Sequence, residues 1–430
     1  MKLFVEPSRV AGAIAVPGSK SHTIRGITAA LLADGESTLH APLISADTLS
    51  ARQAALRLGA KFRELPDGSW RFTGVAGKPA PSVPLLDLGN SGTGLRLLTA
   101  AAALGGAEVR FDGDASLRTR AMKPLLDALA SLGVRTGSAP GGKCPLSVKG
   151  PLRGGKVEID ALCSQFLTAL LLVAPWVEGG LEIEAVRLAE EPYVAITLEW
   201  LKRLKAPFEA SADFKHCKLP GGKGYRGFEA TIPADFSTAA FPLGAGILAG
   251  DGGGVAIRNL DFDDAQGDKA VFAMLQSLGA ELDTASDGTV AVRKSPGLRS
   301  GRLDLNATPD ALPLLAAVAA ATEGMTLALE NVPQARLKET DRIDCMTREL
   351  RKMGAEVEEL PDGMIVRGAR LHGAALDSHD DHRIAMALAV AALAAEGGSV
   401  IGHAEACRVT YPDFIDDFQK LGARFRVEED

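Results

Sequence analysis

The sequence predicts an α/β protein of two similar domains, each built from three copies of one repeated unit. Three observations carry this. At 430 residues the chain is too long for a single ordinary hydrophobic core. Its residues are 46% apolar and only 23% charged, the composition of a packed protein rather than a disordered one. A small-residue-rich helical pattern that stops at glycine recurs six times, at Gly35, Gly105, Gly179, Gly250, Gly324 and Gly397, roughly seventy to seventy-five residues apart.

A second, amphipathic helical pattern follows each stop and ends in a Leu-Gly-Ala-like turn. These turns are Leu58-Gly59-Ala60, Leu132-Gly133-Val134, Leu204-Lys205-Ala206, Leu278-Gly279-Ala280, Met353-Gly354-Ala355 and Leu421-Gly422-Ala423. The third copy has drifted, with Lys205 in the glycine position. Short apolar strand patterns such as Ala107-Glu108-Val109-Arg110-Phe111 surround the helices. Turn residues at Pro17-Gly18 and Pro233-Ala234 mark the hinges. The first helix of each copy is apolar on nearly all sides, as in residues 312–321 and 386–395, which predicts central, buried helices covered by the amphipathic ones.

Composition also excludes functions. A net charge of −7 lacks the basic face of a general nucleic-acid binder. The longest apolar run, residues 166–173, is far short of a membrane span. Met1-Lys2-Leu3-Phe4-Val5-Glu6-Pro7 has the pattern of neither signal nor transit peptide. Five scattered cysteines (Cys144, Cys163, Cys217, Cys345, Cys407) without CxxC spacing predict neither a disulfide scaffold nor a zinc site, and point to a reducing cytoplasm. The thiols other than Cys163 are expected to be small buried hydrophobes. Seven histidines show no paired metal spacing, so no protein-held metal is expected.

The chemistry is written at the helix starts. They are Ser19-Lys20-Ser21-His22-Thr23-Ile24-Arg25, Gly89-Asn90-Ser91-Gly92-Thr93-Gly94-Leu95-Arg96, Cys163-Ser164-Gln165, Asp235-Phe236-Ser237-Thr238, Thr308-Pro309-Asp310 and Asp380-Asp381-His382-Arg383. Capping accounts for Ser19, Thr308 and Asp235 as well as ligand binding does. It does not account for Lys20, Arg25, Arg96 and Arg383, since cations oppose the positive end of a helix dipole unless an anion lies between. Two further basic runs, Arg118-Thr119-Arg120 and Arg336-Leu337-Lys338-Glu339-Thr340-Asp341-Arg342, precede second helices. If the latter begins extended, alternation puts Arg336, Lys338 and Thr340 on one side. In an acidic protein, such clustering predicts a small substrate bearing phosphates or carboxylates.

Pro17-Gly18-Ser19-Lys20-Ser21, Leu88-Gly89-Asn90-Ser91-Gly92-Thr93, Ser164-Gln165-Phe166-Leu167-Thr168-Ala169-Leu170, Lys338-Glu339-Thr340-Asp341-Arg342 and Asp381-His382-Arg383 together resemble the 5-enolpyruvylshikimate-3-phosphate synthases, over essentially the whole chain. That resemblance implies the two-domain enolpyruvyl transferase fold, six βαβαββ repeats in two inside-out α/β barrel lobes with substrates in the cleft between them. Residues 1–18 with 234–430 would form the first lobe, and 19–233 the inserted second. It implies transfer of the enolpyruvyl group of phosphoenolpyruvate to the 5-hydroxyl of shikimate 3-phosphate, without metal or organic cofactor, by a cytoplasmic monomer that binds neither nucleic acid nor membrane.

Carried over by position, Lys20, Gly92, Arg120, Gln165, Arg342 and Arg383 would hold phosphoenolpyruvate. Ser21, Arg25, Ser164, Tyr193, Gln334 and Lys338 would hold shikimate 3-phosphate, with Lys20 and Gln165 reaching both. Asp310 would bind the acceptor hydroxyl and act as its base, and Glu339 would protonate the methylene carbon. A base and an acid in different surroundings suit an addition–elimination, and the cations would stabilise the leaving phosphate. A helix N-terminus should keep Asp310 ionised. Gly92 leaves room for glyphosate, an inhibitor of this family at the phosphoenolpyruvate site.

The chain departs from the family at Cys163, Glu190, Val409, Gln334 and Ala121. Cys163 and Glu190 fall where the acceptor's phosphate would lie, and a carboxylate beside a phosphate repels it unless a base bridges them. That leaves a synthase compensated by Arg25, or an enolpyruvyl transferase with another acceptor. The related transferase acting on UDP-N-acetylglucosamine carries a reactive Cys where this chain has Asp114-Ala115-Ser116-Leu117-Arg118-Thr119-Arg120. A non-catalytic phosphoenolpyruvate-binding paralogue would have no need of Lys20, Asp310 and Glu339.

Overall fold

The computed structural model describes residues 1–295 and 297–429. The chain divides into two compact units, one made of Met1–Pro17 with the chain from Ala234 onward, the other of Gly18–Pro233. Each unit holds three four-stranded sheets, and all six sheets share one strand order. In one of them Leu85–Asp87 pairs parallel with Glu108–Asp112, which pairs antiparallel with Lys143–Lys149, and that with Arg135–Ala139. A parallel pair needs a crossover, and here the helix Gly92–Ala102 supplies it. The helix Lys123–Ser131 then leads into the closing hairpin. The repeat is therefore a βαβαββ unit. Among the described residues the sheets stay separate and open, so each lobe is three sheets around buried helices rather than one closed hydrogen-bonded cylinder.

Three sheets are completed by strands distant in sequence. Lys2–Glu6 lies between Ser399–Gly402 and Arg424–Glu428, with Leu3 opposite Ile401 and Val427. Val10–Ala15 runs parallel to Gly250–Arg258, Ile14 opposite Ile257, across the whole inserted unit. Glu229–Thr231 returns to pair with Glu36–His40, Ala230 opposite Leu39. These pairings sew the first residues into the C-terminal half and close the inserted unit on itself.

The first helices of each copy are the cores. Every residue is buried in Phe236–Ala249, Leu312–Ala320 and His382–Leu393. Their alanines and glycines let the helices approach closely. A β-carbon on Gly244 would stand 2.7 Å from Leu314 Cδ1. Four of the five cysteines are buried thiols, and Cys163 is half-buried.

The drifted turn keeps its shape. Five copies place glycine at the left-handed position, with φ from +88° to +111°, and Lys205 adopts φ +54° in the third copy. A side chain there costs about 1–2 kcal/mol, partly offset by the greater freedom glycine has when unfolded. Lys205→Gly is therefore expected to raise stability by about 1 kcal/mol in urea unfolding; an equal or lower midpoint would show that the lysine makes compensating contacts.

Candidate active site

In the unit closed by the C-terminal half, Arg342 organises a buried ion cluster. It opens the helix Arg342–Lys352, capped by Asp341, whose carboxylate accepts from Asp344 N. The guanidinium is 1% exposed and donates from Nε to Asp381 Oδ2, from Nη1 to Asp310 Oδ1 and from Nη2 to Glu339 Oε2, each at 2.7 Å. Arg383 Nη2 reaches Asp310 Oδ2 at 2.8 Å and donates to Ser237 Oγ at 2.9 Å. Lys338 Nζ stands 3.8 Å from Asp310 Oδ1. Three cations (Arg342, Arg383, Lys338) thus face three carboxylates (Asp310, Glu339, Asp381), a balance that permits such burial.

The backbone explains the convergence. Asp381 caps the helix His382–Leu393, its Oδ1 accepting from Arg383 N and Ile384 N, while its other oxygen takes Arg342. Asp310 lies in the 3₁₀ turn Pro309–Ala311 just before Leu312–Ala320. Burial would push the Asp310 carboxyl up, but Arg383, Lys338 and Arg342 overcome it and hold the group far below the usual carboxylate range. Asp310 is ionised as expected, through the three cations beside it. Burial would likewise lower Arg342, and Asp381, Glu339 and Asp310 raise it instead.

Some expectations change. Arg336 does not share a side with Lys338 and Thr340, because Pro333–Leu337 is a 3₁₀ turn rather than an extended strand. Arg336 turns back to Asp341, Glu359 and the Leu360 carbonyl. Thr308 makes no side-chain cap. Gln334 is buried, and its Nε2 donates to Asn306 O at 2.9 Å. Arg408, beside Val409, extends toward Glu429 at 3.8 Å and is half exposed.

The inserted unit carries a second set. Ser19 caps the helix Lys20–Leu32, and Lys20 Nζ meets Asp47 Oδ2 at 3.1 Å. Arg25, one turn on, is 1% exposed. It donates to Thr197 Oγ1 at 2.9 Å, Ser21 O at 3.0 Å, Thr168 Oγ1 at 3.4 Å and Tyr193 O at 2.9 Å. Burial pushes its guanidinium down to about 10, against the opposing pull of Tyr193 and Glu190. Ser164 opens the helix Ser164–Val173, and both its N–H and hydroxyl donate to Glu190 Oε2, at 3.3 and 2.8 Å.

Gln165 bridges two helices, accepting from Arg96 Nη1 at 3.0 Å and donating to Thr93 Oγ1 at 3.0 Å. Arg120 donates to Asn90 Oδ1 at 2.5 Å, to Asn90 O and to Ser116 Oγ. Gly92 lies under both guanidinium groups: a β-carbon there would stand 2.6 Å from Arg120 Nη1 and from Arg96 Nη1. The clashing atoms are ends of flexible side chains, so Gly92→Ala should fold normally while re-aiming both cations. If the anionic substrate expected from the sequence rests on these cations, its KM should rise about tenfold, a loss of ~1.4 kcal/mol of binding, with little change in melting temperature. An unchanged KM would show that these arginines do not hold that substrate.

Sequence reasoning missed Asp381 as the orienter of Arg342, Asp47 as the partner of Lys20, and Thr168 and Thr197 as the shelf of Arg25. Asp381 and Thr168 lay inside motifs without a role of their own; Asp47 and Thr197 carried no signal beyond their polarity.

Two units of three repeats each, with cations and carboxylates clustered at their helix starts, fit an enzyme acting on small anionic substrates. Comparison with known proteins narrows this. Residues 5–418 match the family model of EPSP synthase (3-phosphoshikimate 1-carboxyvinyltransferase), and the chain belongs to that family. It is 43% identical to the 3-phosphoshikimate 1-carboxyvinyltransferase of Acetivibrio thermocellus, over 98% of this chain and 99% of that one. It is 42% identical to the protein of the same name from Halobacterium salinarum, over 98% and 99%. Among solved structures, EPSP synthase from Acinetobacter baumannii superposes with a TM-score of 0.83 at 26% identity, covering 100% of both chains. The enolpyruvyl transferase NikO from Streptomyces tendae superposes at 0.80 with 20% identity, covering 99% and 98%, and shares the fold.

Proposed function

We propose that this protein transfers the enolpyruvyl group of phosphoenolpyruvate to the 5-hydroxyl of shikimate 3-phosphate and releases phosphate. Alongside its family membership, the observation that carries this reading is the cluster in which Asp310, ionised and flanked by three cations, lies beside Glu339 across the Arg342 guanidinium. No described helix is long and apolar enough to cross a membrane, which is compatible with the cytoplasmic location we assign to a biosynthetic enzyme.

In the reaction, the acceptor oxygen bonds to C2 of phosphoenolpyruvate while C3 takes a proton, giving a tetrahedral ketal phosphate. The Glu339 carboxylate then takes a C3 proton back, the C2–C3 double bond re-forms, and the bond from C2 to the phosphate oxygen breaks, phosphate leaving with the proton that Asp310 held. Asp310, held ionised by the cations beside it, accepts the hydroxyl proton. Glu339 supplies the proton to C3, held in place by Arg342. We assign Lys20, Gly92, Arg120, Gln165, Arg342 and Arg383 to phosphoenolpyruvate, where the cations offset phosphate and carboxylate charge. Ser21, Arg25, Ser164, Tyr193, Gln334 and Lys338 are assigned to the acceptor. The test is phosphate release from phosphoenolpyruvate with shikimate 3-phosphate, shikimate and UDP-N-acetylglucosamine in parallel. Release with shikimate 3-phosphate alone is expected, and release only with another acceptor would overturn the assignment.

A further inference from the structure

The start of the helix Ser164–Val173 has the makings of an anion seat: a backbone N–H, a hydroxyl and the helix dipole all point to one place. It is already filled. Glu190 is 2% exposed, and its carboxylate accepts from both donors of Ser164. Its backbone is left-handed, with φ +59°, at the residue preceding the helix Glu191–Arg203. A non-glycine residue held in that region is under strain that surrounding contacts must maintain. The buried Arg25 lies close enough to Glu190 to feel its charge.

We propose that Glu190 is a tethered anion occupying the seat of the acceptor's phosphate, and that shikimate 3-phosphate binds by displacing it. This rests on the assignment of Ser164 to the acceptor under the proposed function. One set of donors cannot serve two anions in a dry site without strong repulsion. The carboxylate keeps Arg25 compensated while the seat is empty of substrate, and the incoming phosphate takes over that role. Glu190 therefore sets acceptor affinity and selects for an anion strong enough to expel it. A carboxylate that only caps the helix would give the opposite result on removal, because the Ser164 donors and Arg25 would lose a partner with no gain in binding.

The experiment compares wild type with E190Q, which keeps shape without charge, and E190G, which adopts positive φ freely. KM for shikimate 3-phosphate is expected to fall at least tenfold in both, while KM for phosphoenolpyruvate stays within about twofold. Shikimate 3-phosphate should also raise the melting temperature further in the variants than in wild type. A KM for shikimate 3-phosphate that rises or stays level in both folded variants, with equal thermal shifts, overturns the proposal. If no protein turns over shikimate 3-phosphate, the functional reading fails, and direct binding of shikimate 3-phosphate and of inorganic phosphate decides the matter. Tighter binding by the variants upholds the displaced seat, and equal binding refutes it.

Discussion

Asp310→Asn is expected to lower kcat by about 10³-fold, within the range of 10²–10⁴ typical for loss of a positioned general base. The substitution keeps the shape of a side chain that meets Arg342 at 2.7 Å and Arg383 at 2.8 Å, and removes the charge to which the proposed reaction passes the hydroxyl proton. The pH dependence adds a second check. The folded carboxyl lies well below its unfolded value, so its contribution to stability is present above the unfolded pKa of about 4 and is lost as pH falls toward the folded one. Between neutrality and about pH 5, Asp310 stays ionised, and any acid limb of kcat in that window belongs to another group. Steady-state rates from pH 5 to 9 in wild type and D310N test both statements. A variant retaining a tenth of wild-type kcat would remove Asp310 from the chemistry.

Arg342→Met is expected to be the most damaging change to stability. It leaves Asp310, Glu339 and Asp381 without the guanidinium that bonds all three. Stranding charge in a buried cluster costs about 3–5 kcal/mol for one partner, and here three carboxylates lose the same one. Arg342→Lys should rescue only part, since a single ammonium cannot present three donors in a planar fork. Urea unfolding of both variants measures this. A loss below ~1 kcal/mol in R342M would mean that Arg383 and Lys338 rebalance the cluster on their own.

How much of this was legible depended on whether the information was local. Helix stops and turns are local, so the sixfold repeat stood out, including the copy in which Lys205 replaces glycine. The N-caps at Ser19, Asp235 and Asp381 lay in recognisable starts. Strand partners were not legible: nothing near Lys2–Glu6 says that it pairs with Arg424–Glu428. The condition that would put Arg336, Lys338 and Thr340 on one side, an extended start, is not met: Pro333 opens a 3₁₀ turn that swings Arg336 away. The resemblance to the family proposed Asp310 as base and Glu339 as acid, but the Arg342 guanidinium bonding both, and Asp381 fixing it, exist only after folding. Glu190 showed as a departure from the family pattern; that its carboxylate sits on Ser164 is a tertiary fact.

The most direct test of the central claim is to incubate the protein with phosphoenolpyruvate and shikimate 3-phosphate in D₂O and follow both phosphorus and proton spectra. The account predicts that the phosphoenolpyruvate phosphorus signal is replaced by inorganic phosphate, the acceptor keeps its own phosphate, and the new enol ether carries deuterium at its methylene carbon. Phosphate release without an enol ether, or an enol ether with no deuterium at that carbon, would contradict transfer through a protonated tetrahedral intermediate.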